Sequence, residues 1–294
     1  MSDHKHKDEV TGVETTGHDW DGIRELNNPL PKWWLYTFYA CIVWSFAYWI
    51  VMPTWPYLSG GAWTYTKGVI GYEQRNVVTN ELAAIAGGRA ETMQRIATMP
   101  LQEVAADPAL MEVALGAGKA AFGDNCAPCH GSGAQGGKGF PNLNDDDWLW
   151  GGTLDDIHTT LMHGIRWYDD DETRQNIMMA YGRDGILSRT EMSDVVEHVL
   201  SLSGRAENAE AAARGAEVFA SQCVACHGED GKGNRELGAP DLSDRIWLYG
   251  GERADILQTV SNGRSGAMPA WGGRLNEGTI RALTLYVHTL GGGE

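Results

Sequence analysis

Positive charge is scarce in this chain. It carries 23 lysines and arginines against 39 aspartates and glutamates, a formal charge of −16 over 294 residues. Such a surface repels phosphate backbones, which argues against nucleic-acid binding, and it steers in a basic partner. Cysteine is scarce too, with five in all. Cys41 stands alone in an apolar run and reads as a small buried or lipid-facing side chain. The other four fall into two pairs; zinc at either would need further ligands at matched spacing, and no other cysteine pair exists. No nucleophile–base constellation and no phosphate-binding glycine loop stands out.

Charge is missing altogether from Trp33 to Thr66. The core of that stretch, Trp33 to Met52, has 20 residues. At 1.5 Å per residue such a helix matches the roughly 30 Å of a bilayer's hydrocarbon core. Trp33, Trp34, Trp55 and Trp63 fall where interfacial rings belong. Pro31 precedes the run, and Pro53 and Pro56 stop it. A buried core helix would show a polar face, and this one has almost none. The run also starts too late, is too long and lacks a small-x-small exit for a cleaved signal peptide. It is expected to act as an uncleaved membrane anchor over 32–58 in contact with lipid. Basic residues flank it on both sides, so charge does not set its orientation.

The pentapeptide Cys126-Ala127-Pro128-Cys129-His130 returns 97 residues later as Cys223-Val224-Ala225-Cys226-His227. C-x-x-C-H is the attachment signature of c-type haem. One helical turn puts both sulfurs on one face and aims the imidazole at the iron. Two covalently bound haem c groups are therefore expected, on Cys126 and Cys129 and on Cys223 and Cys226, with His130 and His227 as axial ligands. Each copy is followed by a methionine loop, Met178-Met179-Ala180-Tyr181-Gly182 and Met268-Pro269-Ala270-Trp271-Gly272. A thioether is the usual second axial ligand of an electron-transfer cytochrome c. Met178 lines up with Met268, so Met178 is expected on the first haem and Met268 on the second. Met179 and His163 stay open as alternatives for the first. Haem is coupled to thiols outside the bacterial cytoplasm, which points the haem-bearing bulk to the periplasm and the N-terminus to the cytoplasm.

The motifs sit in a longer internal repeat. Phe122 and Phe219 each precede the first cysteine by four residues, one helical turn, where a ring can pack near the haem edge. The motif is followed by a glycine-rich loop with Pro141 or Pro240, then by Trp148-Leu149-Trp150-Gly151-Gly152 or Trp247-Leu248-Tyr249-Gly250-Gly251. The Trp148 and Trp247 indoles either donate to haem propionates or fill space. Helices are expected over 154–163 and 253–262, and closing helices over 190–202 and 277–290. The acidic clusters Asp145 to Asp147 and Asp169 to Glu172 read as solvated loop or as a docking rim for a basic cytochrome. The pattern divides the chain into a polar tail over 1–31 that includes His4, His6 and His18, the anchor over 32–58, a connecting helical segment over 59–108, and haem domains over 109–204 and 205–294. The fold class is all-α: one N-terminal transmembrane helix followed by two tandem class I cytochrome c domains.

Resemblance sharpens this. Pro141 and Pro240 resemble the loop prolines of class I cytochromes c, which implies that their carbonyls hold the axial histidines. The stretch Asp21-Gly22-Ile23, Glu25 to Pro31, Trp33-Trp34, the anchor itself, Trp55-Pro56 and Asn125 to Gly131 resembles the dihaem subunit of cbb3-type cytochrome c oxidases, subunit III or the P subunit. The likeness covers roughly residues 20 to 290. It implies electron relay from a soluble or membrane cytochrome c to these haems. From there electrons pass to a monohaem cytochrome c subunit and to the catalytic haem–copper subunit, which reduces oxygen and pumps protons. On that reading the chain is itself no catalyst. Without the likeness, a dihaem membrane cytochrome serving a dehydrogenase, or a dihaem peroxidase, also fits the residues.

Overall fold

The computed structural model describes residues 6–291. Two compact units divide the chain, Met1–Ile85 and Ala86–Glu294.

The first unit opens with an antiparallel hairpin, β1 (Thr15–Trp20) and β2 (Ile23–Leu26). Its turn is Asp21-Gly22, with φ of +52° and +89°. That is the pair of left-handed residues a tight type I′ turn demands. Asp19 steadies it by accepting from the Gly22 N–H at 2.7 Å and from Arg24 Nε at 2.9 Å. The polar tail read over 1–31 thus carries a hairpin from Thr15 to Leu26; His4 lies outside the described residues. Helix α1 (Lys32–Val51) follows, with extended Pro31 as its N-cap and no buried residue. It is long and apolar enough to cross a membrane. The helix ends where Pro53 was expected to stop it. Beyond Met52 the chain forms a second hairpin, β3 (Pro56–Ser59) and β4 (Ala62–Tyr65), where the sequence reading placed only the end of the anchor and the start of a connecting helical segment. Gly60-Gly61 supplies the turn. Helix α2 (Gln74–Thr98) then runs across the unit boundary.

The second unit holds α3 (Leu101–Ala106), α4 (Pro108–Asn125), α5 (Ala127–His130), α6 (Leu154–His163) and α7 (Arg189–Leu202). The repeat follows as α8 (Ala209–Gln222), α9 (Val224–His227), α10 (Arg253–Asn262) and α11 (Glu277–His288). Caps set these boundaries: Asp107 accepts from two N–H groups at the start of α4, and Ser188 with Glu191 forms a capping box on α7. The end of α2 and α3, expected as mere connection, are core. Ile96, Leu101 and Val104 pack with Leu110, Ala114, Leu154, Ala282 and Leu285. Arg281 donates to the carbonyls of Ile96 at 2.7 Å and Met99, which end α2.

The repeats are contiguous in sequence but exchanged in space. Helix α4 packs against α11 and α8 against α7; α6 lies on α11 and α10 on α7. Each closing helix therefore completes the other repeat's bundle. The contact points are small: a Cβ on Gly118 would run into the Ala282 carbonyl, and one on Gly215 into that of Asp194. The polar pairs explain the choice. On α7, Asp194 (6% exposed) takes two 2.8 Å bonds from Arg214 on α8, and Glu197 (5% exposed) pairs with Arg253 on α10. The residues matching Arg214 and Arg253 in the first repeat are Ala117 and Leu154. Unexchanged, α7 would bury two carboxylates against those apolar groups, a heavy penalty. In α11 the matching positions are Ala282 and Leu285, which suit an apolar neighbour.

Gly215→Ala should destabilise the folded chain by about 1–3 kcal/mol, the usual cost of overpacking a rigid contact. Gly116→Ala on α4, where nothing stands within 4 Å, should instead stabilise by about 0.4–1 kcal/mol. Denaturant unfolding of the haem-loaded chain, followed by circular dichroism, checks both. Equal, benign effects would contradict the close α7–α8 approach.

Candidate haem centres

Each motif begins where a long helix breaks. Cys126 caps α4 and Cys223 caps α8, and the next four residues form the one-turn helices α5 and α9. The His130 N–H donates to the Cys126 carbonyl at 2.9 Å, and that of His227 to Cys223 at 3.0 Å. The turn thus binds each imidazole to its cysteine pair. His130 Nδ1 lies 3.1 Å from the Pro141 carbonyl, and His227 Nδ1 lies 3.1 Å from that of Pro240. A carbonyl only accepts, so Nδ1 holds the proton and Nε2 keeps its lone pair for a metal. Burial lowers both histidine pKa values, which keeps the rings neutral. Burial also pushes the Cys126 and Cys223 thiols up to about 11, with Cys129 and Cys226 adding to the effect.

The second motif faces a cavity of about 350 Å³ lined by Phe219, Val195, Val199, Ile256 and Val260, with Met178 and His227 on its wall. Trp247 also lines it, and its buried Nε1–H has no hydrogen-bond partner. An orphaned buried donor is costly. An apolar macrocycle carrying a carboxylate edge satisfies both the cavity and the donor, and haem is such a group. Around the first motif, Cys126 packs with Phe122, Ile157, Leu161, Leu283 and Val287, flanked by Trp148 and Met268.

The methionines reverse the expected pairing. Met178, expected beside Cys126 and His130, lies in the cluster of Phe219 and Cys223. Met268, expected beside His227, lies with Phe122 and Cys126. Backbone pairs fix this crossing. Met178 and Arg264 exchange two bonds of 2.9 and 3.0 Å, and Ile165 and Met268 two of 3.0 and 2.9 Å. A repeat alignment equates positions without saying which copy a loop reaches, so it could not reveal the exchange. Met179 points outwards at 51% exposure. His163 is engaged on the surface, with Nδ1 3.2 Å from Asp170 and Nε2 3.3 Å from Glu172.

Two residues of the Trp-Leu-aromatic-Gly-Gly repeat had no role read for them in the sequence. Trp150, 7% exposed, belongs to the first repeat but lines the second cavity, and it packs on Gly238. Tyr249, its counterpart, lies 3.5 Å from where a Cβ of Gly139 would sit. The Trp-Leu-aromatic-Gly-Gly repetition was the available signal.

Asp146 and Asp147 share a hollow with Asp241, Asp244, Lys232 and Arg235. Burial, and then the charges of Asp244, Asp145 and Asp241, push Asp147 up to about 6 against the pull of Arg235. The folded chain therefore holds this proton at a pH where the unfolded chain, near 3.8, has lost it. Its contribution to stability is present below that value and is lost as pH rises through about 6. Asp147→Asn should flatten this part of the stability–pH curve, measured by denaturant titration at several pH values. An unchanged slope would remove Asp147 as its source.

Three family profiles match in turn. The N-terminal domain of cytochrome oxidase-cbb3, FixP, matches residues 12–59, cytochrome c matches 115–203, and cytochrome C oxidase, cbb3-type, subunit III, matches 210–287. Similar proteins include the cbb3-type cytochrome c oxidase subunit FixP of Azorhizobium caulinodans, 54% identical over 100% of this chain and 98% of the relative. The FixP of Bradyrhizobium diazoefficiens is 52% identical over 100% of both chains. The CcoP of Cereibacter sphaeroides is 51% identical over 95% of each. With such identity along its whole length, the chain belongs to the FixP and CcoP family of cbb3-type cytochrome c oxidase subunits.

Proposed function

We propose that this chain is the electron-relay subunit of a cbb3-type oxygen-reducing oxidase. In this reading it is a dihaem cytochrome c anchored by α1 in the bacterial cytoplasmic membrane, with its N-terminus in the cytoplasm and its haem domains in the periplasm. The observation that carries it is the doubled arrangement of a C-x-x-C-H turn, a histidine held as the Nδ1–H tautomer, and a methionine delivered from the other repeat.

Cys126 and Cys129 would hold one haem and Cys223 and Cys226 the other. His130 and Met268 would be the axial ligands of the first, and His227 and Met178 those of the second. Bound there, each haem supplies a one-electron iron couple. The protein does the rest. Pro141 and Pro240 fix the imidazole tautomers, apolar walls would exclude water, and Trp247 would offer its unpartnered N–H to a propionate. With both axial positions filled by side chains, no site remains for oxygen, so reduction of oxygen belongs to the haem–copper subunit. The acidic surface steers in a basic soluble or membrane cytochrome c as donor. Electrons then pass through the monohaem cytochrome c subunit to the catalytic subunit.

The chain, recovered from membranes in mild detergent, should bring down b-type haem and cyanide-sensitive oxygen uptake driven by reduced cytochrome c. Recovery of pure dihaem protein without uptake, from membranes that keep their other respiratory complexes, would contradict the oxidase role. Met268→His should lower the potential of the haem on Cys126 and Cys129 and leave it low-spin, because a second imidazole replaces the thioether. Redox titration beside Met178→His tells the haems apart. A shift confined to the haem on Cys223 and Cys226 would refute the crossed ligation.

A further inference from the structure

We propose that Arg166 is a positioning residue that grips both methionine loops at once, so that the sixth ligands of the two haems are mechanically coupled. This rests on the axial assignment of Met178 and Met268 above.

Arg166 stands at φ +50°, a left-handed backbone that long side chains seldom adopt. Such a conformation persists only where its surroundings over-determine it. Its neighbour Ile165 is paired to Met268, and its own N–H donates to the Arg174 carbonyl at 2.8 Å. From that fixed base the guanidinium reaches two ways. Nε donates to the Gly266 carbonyl at 2.6 Å, and Nη1 donates to the Asn176 carbonyl at 2.5 Å. Gly266 lies two residues before Met268, and Asn176 lies two residues before Met178. The backbone pair of Met178 with Arg264 closes the ring of contacts.

A planar fork can hold two carbonyls in fixed relation, and a lysine's single ammonium on a flexible stem cannot. The contact is also unrepeated. The position matching Arg166 in the second repeat is Ser265, too short to span the loops. One guanidinium therefore serves both haems, and slack in one loop reaches the other through it. An ordinary loop brace would steady one loop and leave the other haem untouched.

The haem-loaded full chain in detergent, with isotope-labelled methionine methyls, tests this. In the reduced protein a methionine bound to haem iron gives a strongly ring-current-shifted methyl signal. Met178→Leu and Met268→Leu assign the two signals. In Arg166→Gln and in Arg166→Lys both signals should move or broaden, both potentials should fall, and the far-red methionine–iron band of the oxidised protein should weaken. Met178→Leu should also displace the Met268 signal in the parent chain, and this cross-effect should shrink in Arg166→Gln, where only the backbone pair of Met178 with Arg264 still joins the loops. A change at one haem only, a cross-effect undiminished in Arg166→Gln, or an Arg166→Lys chain identical to the parent would overturn the coupling. Two shifted signals in the parent with no response to either Arg166 variant would overturn it while sparing the ligand assignment. No shifted signals in the parent would remove that assignment, and the coupling with it. Circular dichroism of each variant separates these outcomes from unfolding, and Arg166→Lys keeps the charge should Arg166→Gln fail to fold.

Discussion

Two buried carboxylates on α7 decide which helices it can pack against. Asp194 and Glu197 lie on its inner face, and they are paired because α8 brings Arg214 and α10 brings Arg253. Buried ion pairs of this kind contribute little net stability. Their effect is on specificity, because the alternative arrangement leaves a charge uncompensated. The first repeat offers Ala117 and Leu154 at the matching positions, so α7 is refused there and α11, with Ala282 and Leu285, is accepted. The exchange of closing helices follows, and with it the crossing of the methionine loops.

Because of that crossing, neither repeat encloses a core alone. The cluster around Phe122 and Cys126 is closed by Ile280, Leu283 and Val287 from the end of the chain. The cluster around Phe219 is closed by Val195, Val196 and Val199 from its middle. The motif loops interlock as well: the Gly139 N–H donates to the Leu248 carbonyl at 2.8 Å, and Asn176 Nδ2 donates to the Leu237 carbonyl at 2.6 Å. Ala86–Glu294 is accordingly one compact unit and not two beads on a string.

Local features were legible in the sequence where a local rule applied. The helices over 154–163 and 253–262 appear as read, and the loop prolines supply the carbonyls expected of them. The membrane-length helix was plain from the absence of charge. The two hairpins were missed because their signals, Asp21-Gly22 and Gly60-Gly61, are short and lie in stretches judged by composition. The exchange was hidden for a different reason. Both repeats carry the same apolar pattern, so periodicity is satisfied by either pairing. The deciding information lies in Asp194 and Glu197 against Ala282 and Leu285, and in Arg214 and Arg253 against Ala117 and Leu154, and only their paired reading separates the two arrangements.

The same matched residues bear on how the two centres are completed. Met268 lies beyond both motifs in chain order, yet it sits in the cluster of the first. Met178 precedes the second motif and sits in the cluster of that motif. On the proposed ligation, Met268 would reach the first haem from the loop between α10 and α11, which is held by its backbone pair with Ile165. Met178 would reach the second from the loop between α6 and α7, held by its pair with Arg264. Each centre would then depend on the seams that seat α11 on α4 and α7 on α8, where Gly118 admits the Ala282 carbonyl and Gly215 that of Asp194. Completion of either centre would be set by helix packing as much as by its own motif.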